Sequence, residues 1–251
     1  MLGIRARLRH GVVAPLLFVL VAACSVSQAR MDAMVPDDED AFARAHIQAL
    51  PSGNTRMLED ALDPSLRGPE VMAELAKMVK LVAGRRIEAL KVIGYQGMSF
   101  NGAQRRNITY QLDLSDGWAV ANVASRTEDR RRIIDGISVT QIPEPLERTH
   151  AFRLGGKSAT HYIFLGLVAL IPLLMLYAVV LVFRMRPRRR WLWVLACIWG
   201  VGQWSLNWTT GDTGTLPVNI QLLGSAAIRA SMYSPWILSL SLPIGALYVI
   251  W

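Results

Sequence analysis

Two kinds of hydrophobic pattern divide the chain. Between residues 37 and 142, apolar positions recur first with the period of a helix and then with the period of a strand. From Ser158 onward, apolar residues continue with few charged ones between them. The first pattern predicts a folded α+β domain with a polar surface, and the second predicts segments that are surrounded by lipid.

Three helices are predicted in the first half. The acids Asp37 to Asp40 precede a periodic stretch that ends near Leu50, and acids favour a helix N-terminus. A second, short helix is predicted from Asn54 to Leu62. The third has Pro69 in its first turn and Gly84 just past its end, as expected of helix termini. Its apolar face consists of Val71, Leu75, Met78 and Val82.

A four-stranded antiparallel meander is predicted after these helices. Apolar residues occupy every second position from Ile108 to Leu114, and Ser115-Asp116-Gly117 separates this strand from another alternating run. Strands at Ile87–Phe100 and Ile133–Ile142 complete the sheet, and Asp135-Gly136 is interpreted as a bulge in the last one. Over residues 37–142 this order is similar to the cystatin-like or NTF2-like cone. That resemblance implies a curled sheet around a helix and leaves function open.

The second half predicts an all-α membrane domain over residues 162–251. Its three transmembrane helices are predicted at about 162–183, 191–208 and 235–251. The 26 residues from Ser158 to Phe183 carry no charge, and five arginines follow that identify the cytoplasmic end of this span. These topology anchors are Arg184, Arg186, Arg188, Arg189 and Arg190.

Aromatic and small residues extend this membrane prediction. Aromatic belts are predicted from Trp191, Trp193 and Trp251 on the cytoplasmic side and from Trp204, Trp208 and Trp236 on the outer side. Ala196 and Gly200 in the second span, and Ser241 and Gly245 in the third, are small residues four apart. They allow close helix approach within this chain or with a partner. The stretch from Pro217 to Arg229 in the outer loop is a candidate interfacial helix.

The first 24 residues have the three parts of a secretory signal, namely a basic start, an apolar core and small residues. Val21-Ala22-Ala23-Cys24 resembles the bacterial lipoprotein signal, which implies a lipid on Cys24. Cleavage after Ser27-Gln28-Ala29 and an uncleaved anchor remain as alternatives. Residues 25–36 are then a flexible lead-in, and residues 143–161 form a linker.

The positive charge lies beside apolar segments. The formal net charge is +8, and it is matched by three arginines in the first ten residues and five between 184 and 190. This distribution follows the positive-inside rule and does not indicate a nucleic-acid partner. It predicts a bacterial inner-membrane protein with residues 25–161 and about 209–234 in the periplasm. Residues 184–190 and the C-terminus are then cytoplasmic.

One cluster of charges is a candidate binding site. Arginines begin the second and fourth predicted strands, and antiparallel order brings them to the same end of the sheet: Arg105, Arg106, Arg130, Arg131 and Arg132. Such an edge binds anionic lipid or a polyanion through forked hydrogen bonds. The alternative is a solvated edge that Glu128 and Asp129 neutralise.

The sequence predicts a non-enzymatic cell-envelope membrane protein. Its periplasmic domain then contacts a protein, lipid or small-molecule partner, in addition to the bilayer. No metal site or cofactor is predicted, because the four histidines lack metal-ligand spacing. The alternative is an envelope enzyme that uses a pocket in the α+β domain, with Asp113, Glu88 or His46 in acid-base roles.

Overall fold

The computed structural model describes residues 27–53, 55–100, 103–128 and 131–251. Within this part, the chain forms two compact units. The amino-terminal unit contains residues 27–149 and Ser231–Tyr233, and the carboxy-terminal unit contains residues 150–230 and 234–251. The predicted signal sequence and Cys24 lie outside the described residues, so lipid attachment stays a prediction.

The amino-terminal unit contains five helices and two 3-10 turns in addition to its sheet, as far as the described residues extend. The helices are α1 Gln28–Met34, α2 Asp37–Ala49, α3 Arg56–Ala61, α4 Pro69–Val82 and α5 Leu146–Thr149, with 3-10 turns at Leu50–Ser52 and Pro64–Leu66. Helices α2, α3 and α4 correspond to the three predicted ones. Helix α1 occupies the stretch predicted as a flexible lead-in, where Met31 is buried and Gln28 donates a hydrogen bond to the Val92 carbonyl. Helix α5 lies in the predicted linker.

The first sheet is the predicted four-stranded meander. Its strands, β1 Ile87–Phe100, β2 Ala103–Leu114, β3 Gly117–Glu128 and β4 Arg131–Ile142, pair antiparallel in the order β1-β2-β3-β4. Leu114 pairs with Gly117, so the predicted β2–β3 hairpin is present with Ser115 and Asp116 as its turn residues. The predicted bulge is also present, because Ala124 pairs with Gly136 and Ser125 with Ile134.

One face of this sheet packs against the helices. Tyr110, Leu112 and Ala121 are fully buried there, as the alternation along β2 and β3 requires. Helix α4 buries Leu75 and Val82 of its predicted apolar face, and Met78 packs against the same core. The sequence period therefore identified the buried faces correctly.

The carboxy-terminal unit combines three helices with a second sheet. Its elements are α6 Ala159–Met185, α7 Arg190–Ile198, β5 Trp199–Asn207, β6 Thr213–Leu222, β7 Ser225–Ile228, β8 Ile237–Leu242 and α8 Ile244–Ile250. The four strands pair antiparallel in the order β6-β5-β8-β7. Within the described residues, α6 is the one helix that is long and apolar enough to cross a membrane.

The predicted fold class, with three transmembrane helices after the meander, is therefore wrong. Residues 191–208 form most of α7 and then β5, and residues 235–251 form β8 and then α8. The stretch from Pro217 to Arg229 contains β6 and β7 residues, not an interfacial helix. These segments were mispredicted because an uncharged apolar run shows no clear periodicity of hydrophobic and polar positions. Composition alone therefore does not distinguish a strand from a helix there.

Both mispredicted segments still run along α6. Helices α7 and α8 pack on its second half, where Cys197 and Ala246 join a buried cluster with Met175. Strands β7 and β8 pack on its first half, where Leu238 of β8 and Leu206 of β5 join a buried cluster that includes Val168. Each predicted span is thus a helix where it packs on the second half of α6 and a strand over the rest of its length.

The small residues of the two mispredicted spans face each other. A Cβ atom on Gly245 would overlap the backbone carbonyl of Ala196, and one on Gly200 would overlap the Ser241 side chain. Of the two interpretations left open by the sequence, packing within the chain is the one that the structure contains.

Candidate functional site

The predicted arginine edge lies at one end of the first sheet. Arg105 and Arg106 are near the start of β2, and Arg131 and Arg132 begin β4. Arg126 of β3, which the sequence analysis did not single out, pairs with Arg105 in the register and joins them. Arg130 lies outside the described residues.

Acids from helix α2 bind two of these arginines. The Arg132 guanidinium lies 2.7 Å from the Asp38 carboxylate and 3.3 Å from the Glu39 carboxylate. Arg106 lies 4.0 Å from Glu39, whose side chain is almost fully buried. The hydrogen bond from Arg132 lowers the pKa of Asp38 below its usual value, because it stabilises the charged carboxylate.

Two further acids bind Arg105 and Arg126. The bulged residue Asp135 lies 2.8 Å from Arg105 and 3.1 Å from Arg126, with a side chain that is 9% exposed. Asp63, from the loop after α3, lies 2.5 Å from Arg126. Hydrogen bonds from the Ser65 hydroxyl and backbone N–H, together with the Arg126 charge, lower the pKa of Asp63.

The arginine edge is therefore an ion-pair network. We use this name for the arginines and acids Arg105, Arg106, Arg126, Arg132, Asp38, Glu39, Asp63, Glu128 and Asp135. Of the edge arginines that the structure describes, only Arg131 is exposed without such a partner. Glu128 was an expected neutralising residue and does pair with Arg126, at 3.3 Å. The network is held together by its own acids, so an external anion would have to compete with them for the paired arginines.

The three residues considered for acid-base roles do not form one site. Asp113 lies 2.8 Å from Lys91, and this hydrogen bond raises the pKa of the Lys91 ammonium. Glu88 lies 3.4 Å from Arg86 at the surface. His46 is buried, and its Nδ1 lies 2.8 Å from the Phe42 carbonyl oxygen. Within the described part of the chain, no hydrogen bond or ion pair joins any two of these three residues.

The carboxy-terminal unit contains an apolar cavity of about 840 Å³. Its walls come from α6, from the end of β6 and from strands β7 and β8, and they include Leu165, Pro172, Leu222, Ala226 and Trp236. Among the described residues that line it, Ser225 has the one hydroxyl group, which donates to the Val168 carbonyl at 2.8 Å. The cavity therefore suits an apolar ligand.

Aromatic and basic side chains lie at the N-terminal end of α6. Phe152 stacks on Trp208 with ring centroids 4.5 Å apart and meets the Trp236 ring at 5.8 Å. Lys157 donates to the Trp208 carbonyl at 2.6 Å, and Arg229 lies over the Trp236 ring at 5.1 Å. Burial lowers the pKa of nearby His150, which lies 3.1 Å from the Thr209 hydroxyl.

The five predicted topology anchors lie at the other end of α6. Arg184 is in its last turn, Arg186 follows the helix, and Arg190 begins α7. All five arginines are exposed, and the described residues give none of them an ion pair. The two ends of α6 therefore differ in chemistry, with five arginines at one end and an aromatic group with a few cations at the other.

In comparisons with known proteins, the chain matches no family model, no curated protein and no solved structure.

Proposed function

We propose that the chain is a non-enzymatic membrane protein of the bacterial cell envelope. Helix α6 anchors it in the inner membrane, and the amino-terminal unit contacts a partner on the periplasmic side. The observation that carries this proposal is α6 itself, a 27-residue helix whose apolar part has no charge. At 1.5 Å per residue such a helix is about 40 Å long, and a bilayer core is about 30 Å thick.

The exposure of α6 supports a lipid environment. Only 17% of its most apolar window is buried within the chain, and Ile163, Leu170 and Tyr177 are each more than half exposed. A core helix of a water-soluble protein hides such residues from solvent. An exposed apolar helix of this length is stable when lipid covers it.

The charges at the two ends support an orientation. The five arginines after Phe183 favour the cytoplasm under the positive-inside rule. Trp208 and Trp236, with Lys157, then belong to the outer interface, where aromatic rings and long cationic side chains are favoured. Residues 25–161 precede α6 or open its first turn and are periplasmic in this orientation.

Reporter fusions test this orientation. Alkaline phosphatase fused after residue 145 is expected to be active, and green fluorescent protein at the same point is expected to be dark. A fusion after Pro187, between the anchor arginines, is the matched control and should give the opposite pair of results. A fluorescent and phosphatase-inactive fusion at 145 contradicts the proposal.

The contact role is inferred for the amino-terminal unit, and Arg131 is the first position to test. It is the exposed arginine beside the ion-pair network that has no acidic partner among the described residues, and its exposure makes it accessible to a partner. A photo-crosslinking amino acid at Arg131 is expected to trap one envelope partner, whereas one at Lys77, which is exposed and paired with Glu74, should not. Equal crosslinking at both positions contradicts a contact at this end of the sheet. No observation on the described residues favours the enzyme alternative.

A further inference from the structure

The apolar cavity of the carboxy-terminal unit takes part neither in membrane anchoring by α6 nor in the partner contact of the amino-terminal unit. Its volume of about 840 Å³ lies within the range of roughly 300–1,000 Å³ that is usual for small-molecule sites. Its walls are apolar, and the Ser225 hydroxyl already has an acceptor in the chain. A hydrocarbon chain is the part of a ligand that fits against such walls, because a polar group buried there would lose its hydrogen bonds to water.

The cavity opens at a surface that the bilayer reaches. Three of its wall residues, Leu173, Leu222 and Ile228, are 47%, 61% and 59% exposed. Leu173 belongs to α6, so its exposed side is part of the helix surface that lipid covers in the proposed function. An acyl chain of a neighbouring lipid therefore enters the cavity sideways, without crossing water.

A cation stands beside the cavity wall. Arg229 directly follows β7, and its guanidinium carbon lies 5.1 Å from the centroid of the Trp236 ring, which is part of the wall. Its Nε atom is buried, and the described residues give Arg229 neither a hydrogen-bond partner at Nε nor an acidic partner. A buried donor on a charged group is costly to leave unsatisfied, so this position favours an anionic acceptor.

We propose that the cavity holds one acyl chain of an anionic phospholipid whose phosphate accepts hydrogen bonds from Arg229. Apolar contacts with the cavity wall contribute a binding free energy that grows with each methylene group of the acyl chain that they bury. Arg229 contributes the preference for negative charge, because a guanidinium donates to phosphate through a planar fork. This inference rests on the membrane placement of α6 in the proposed function.

The experiment uses the full chain in detergent, with bound lipid measured by native mass spectrometry. Phosphatidylglycerol and phosphatidylcholine with identical acyl chains are added separately, and palmitate is added as a single-chain anion. The native chain is expected to bind phosphatidylglycerol about tenfold more tightly than phosphatidylcholine, which corresponds to one charge-assisted contact. Equal binding of the two lipids, or binding of palmitate in place of phosphatidylglycerol, overturns the proposal.

Two variants separate the charge from the cavity. Arg229→Gln is expected to remove the preference for phosphatidylglycerol, whereas Arg153→Gln, at an exposed arginine of the same unit, should keep it. Ala169→Phe fills the cavity and is expected to weaken the binding of both lipids. Gly166→Phe adds the same ring to α6 at a position where no described residue lies within 4 Å of an added Cβ atom, and it should leave lipid binding unchanged. Unchanged lipid binding in both Arg229→Gln and Ala169→Phe overturns the proposal.

Folding and membrane insertion are controlled separately. Size-exclusion profiles establish that each variant is folded, and Arg229→Lys retains the charge and should keep part of the preference. Extraction of native membranes with alkaline carbonate tests the anchor. A chain that stays in the membrane but binds phosphatidylglycerol no better than phosphatidylcholine refutes this inference alone, and a chain that is extracted refutes the proposed function as well.

Discussion

The two sheets of this protein have the same number of strands and the same antiparallel pairing, but they are built for different surroundings. The first buries one face against helices and fixes one end with ion pairs. The second has almost no charge, and its edge strand β6 exposes Leu216, Val218, Ile220 and Leu222. Contact with water accounts for the charged surface of the first sheet. Contact with lipid or with another protein surface accounts for the exposed apolar side chains of the second sheet. The difference shows that a four-stranded antiparallel sheet is compatible with either environment. The chemistry of the exposed side chains, not the strand pairing, indicates which environment surrounds each sheet.

The largest effect is expected where the carboxy-terminal unit is most tightly packed. Gly245→Val places a side chain against the Ala196 backbone between α7 and α8, and neither helix backbone yields as a flexible side chain would. We expect a loss of about 3 kcal/mol in the stability of this unit. The measurement is the thermal unfolding midpoint in detergent, followed by size exclusion.

Gly166→Val is the matched control for this prediction, because none of the described residues lies within 4 Å of its added Cβ atom. It should leave the midpoint within a few degrees of the native value. Equal loss in both variants would show that α7 and α8 do not approach each other as described.

The next largest effect is expected in the ion-pair network of the amino-terminal unit. Asp135→Asn removes the carboxylate that Arg105 and Arg126 share, and Arg126 then keeps only its other acids. Breaking a buried pair costs about 3–5 kcal/mol, and partial exposure of both arginines reduces this to about 2 kcal/mol. Hydrogen exchange of β4 amides under urea measures the change. Glu88→Gln, at an exposed pair, should change the same amides by less than about 0.5 kcal/mol.

A smaller effect is expected from acid. The pKa values of Asp38 and Asp63 are lowered below the unfolded value of 3.8 by hydrogen bonds from Arg132 and Ser65. Their contribution is fully present above that value and is lost as the pH falls below it. The protection of the first sheet against hydrogen exchange, expressed relative to the intrinsic exchange rate at each pH, should therefore be insensitive to these groups at pH 5–7 and decrease below about pH 4.

The variant Asp63→Asn tests the origin of this acid sensitivity. It should weaken the pH dependence below pH 4, since the amide side chain that replaces the carboxylate has no proton to take up. A pH profile that is unchanged in this variant would assign the acid sensitivity to other groups.

The smallest energetic effect is expected at exposed apolar positions, where the two units differ most in environment. Val218 of β6 and Met98 of β1 are 98% and 69% exposed, so cysteine at either position should change stability by less than about 0.5 kcal/mol. A fluorophore on residue 218 is expected to be quenched by spin-labelled lipid, and one on residue 98 is not. Equal quenching at both positions contradicts the comparison.

The first sheet was predictable from the sequence because one of its faces is polar. Alternation along β2 and β3, the turn at Ser115-Asp116 and the bulge at Asp135 all follow from residue types within a few positions of each other. The acids of the ion-pair network were not predictable in the same way. Asp38 and Asp63 are distant in the chain from β4 and β3, respectively, and only the tertiary structure brings them to Arg132 and Arg126.

The second sheet was missed because composition concealed its period. In β8, Leu238, Leu240 and Leu242 alternate with two serines, which is a strand pattern, but the whole segment is uncharged and satisfies a hydropathy window. Gly200 and Gly202 in β5 and Pro217 in β6 were further signals against continuous helix. The small-residue pairs, by contrast, were informative, because close approach needs small side chains in strands and helices alike.

The most direct measurement is disulfide formation between β5 and β8 in native membranes. Single cysteine pairs are introduced at Ser205 and Ser239, at Leu206 and Leu238, and at Asn207 and Ile237, which are three successive partners in the antiparallel register. The background carries Cys24→Ser and Cys197→Ala. Paired strands bring every successive pair within disulfide reach, so all three should crosslink within one chain. Two packed transmembrane helices bring together only residues three or four apart, and crosslinking of just one of the three pairs would contradict the account.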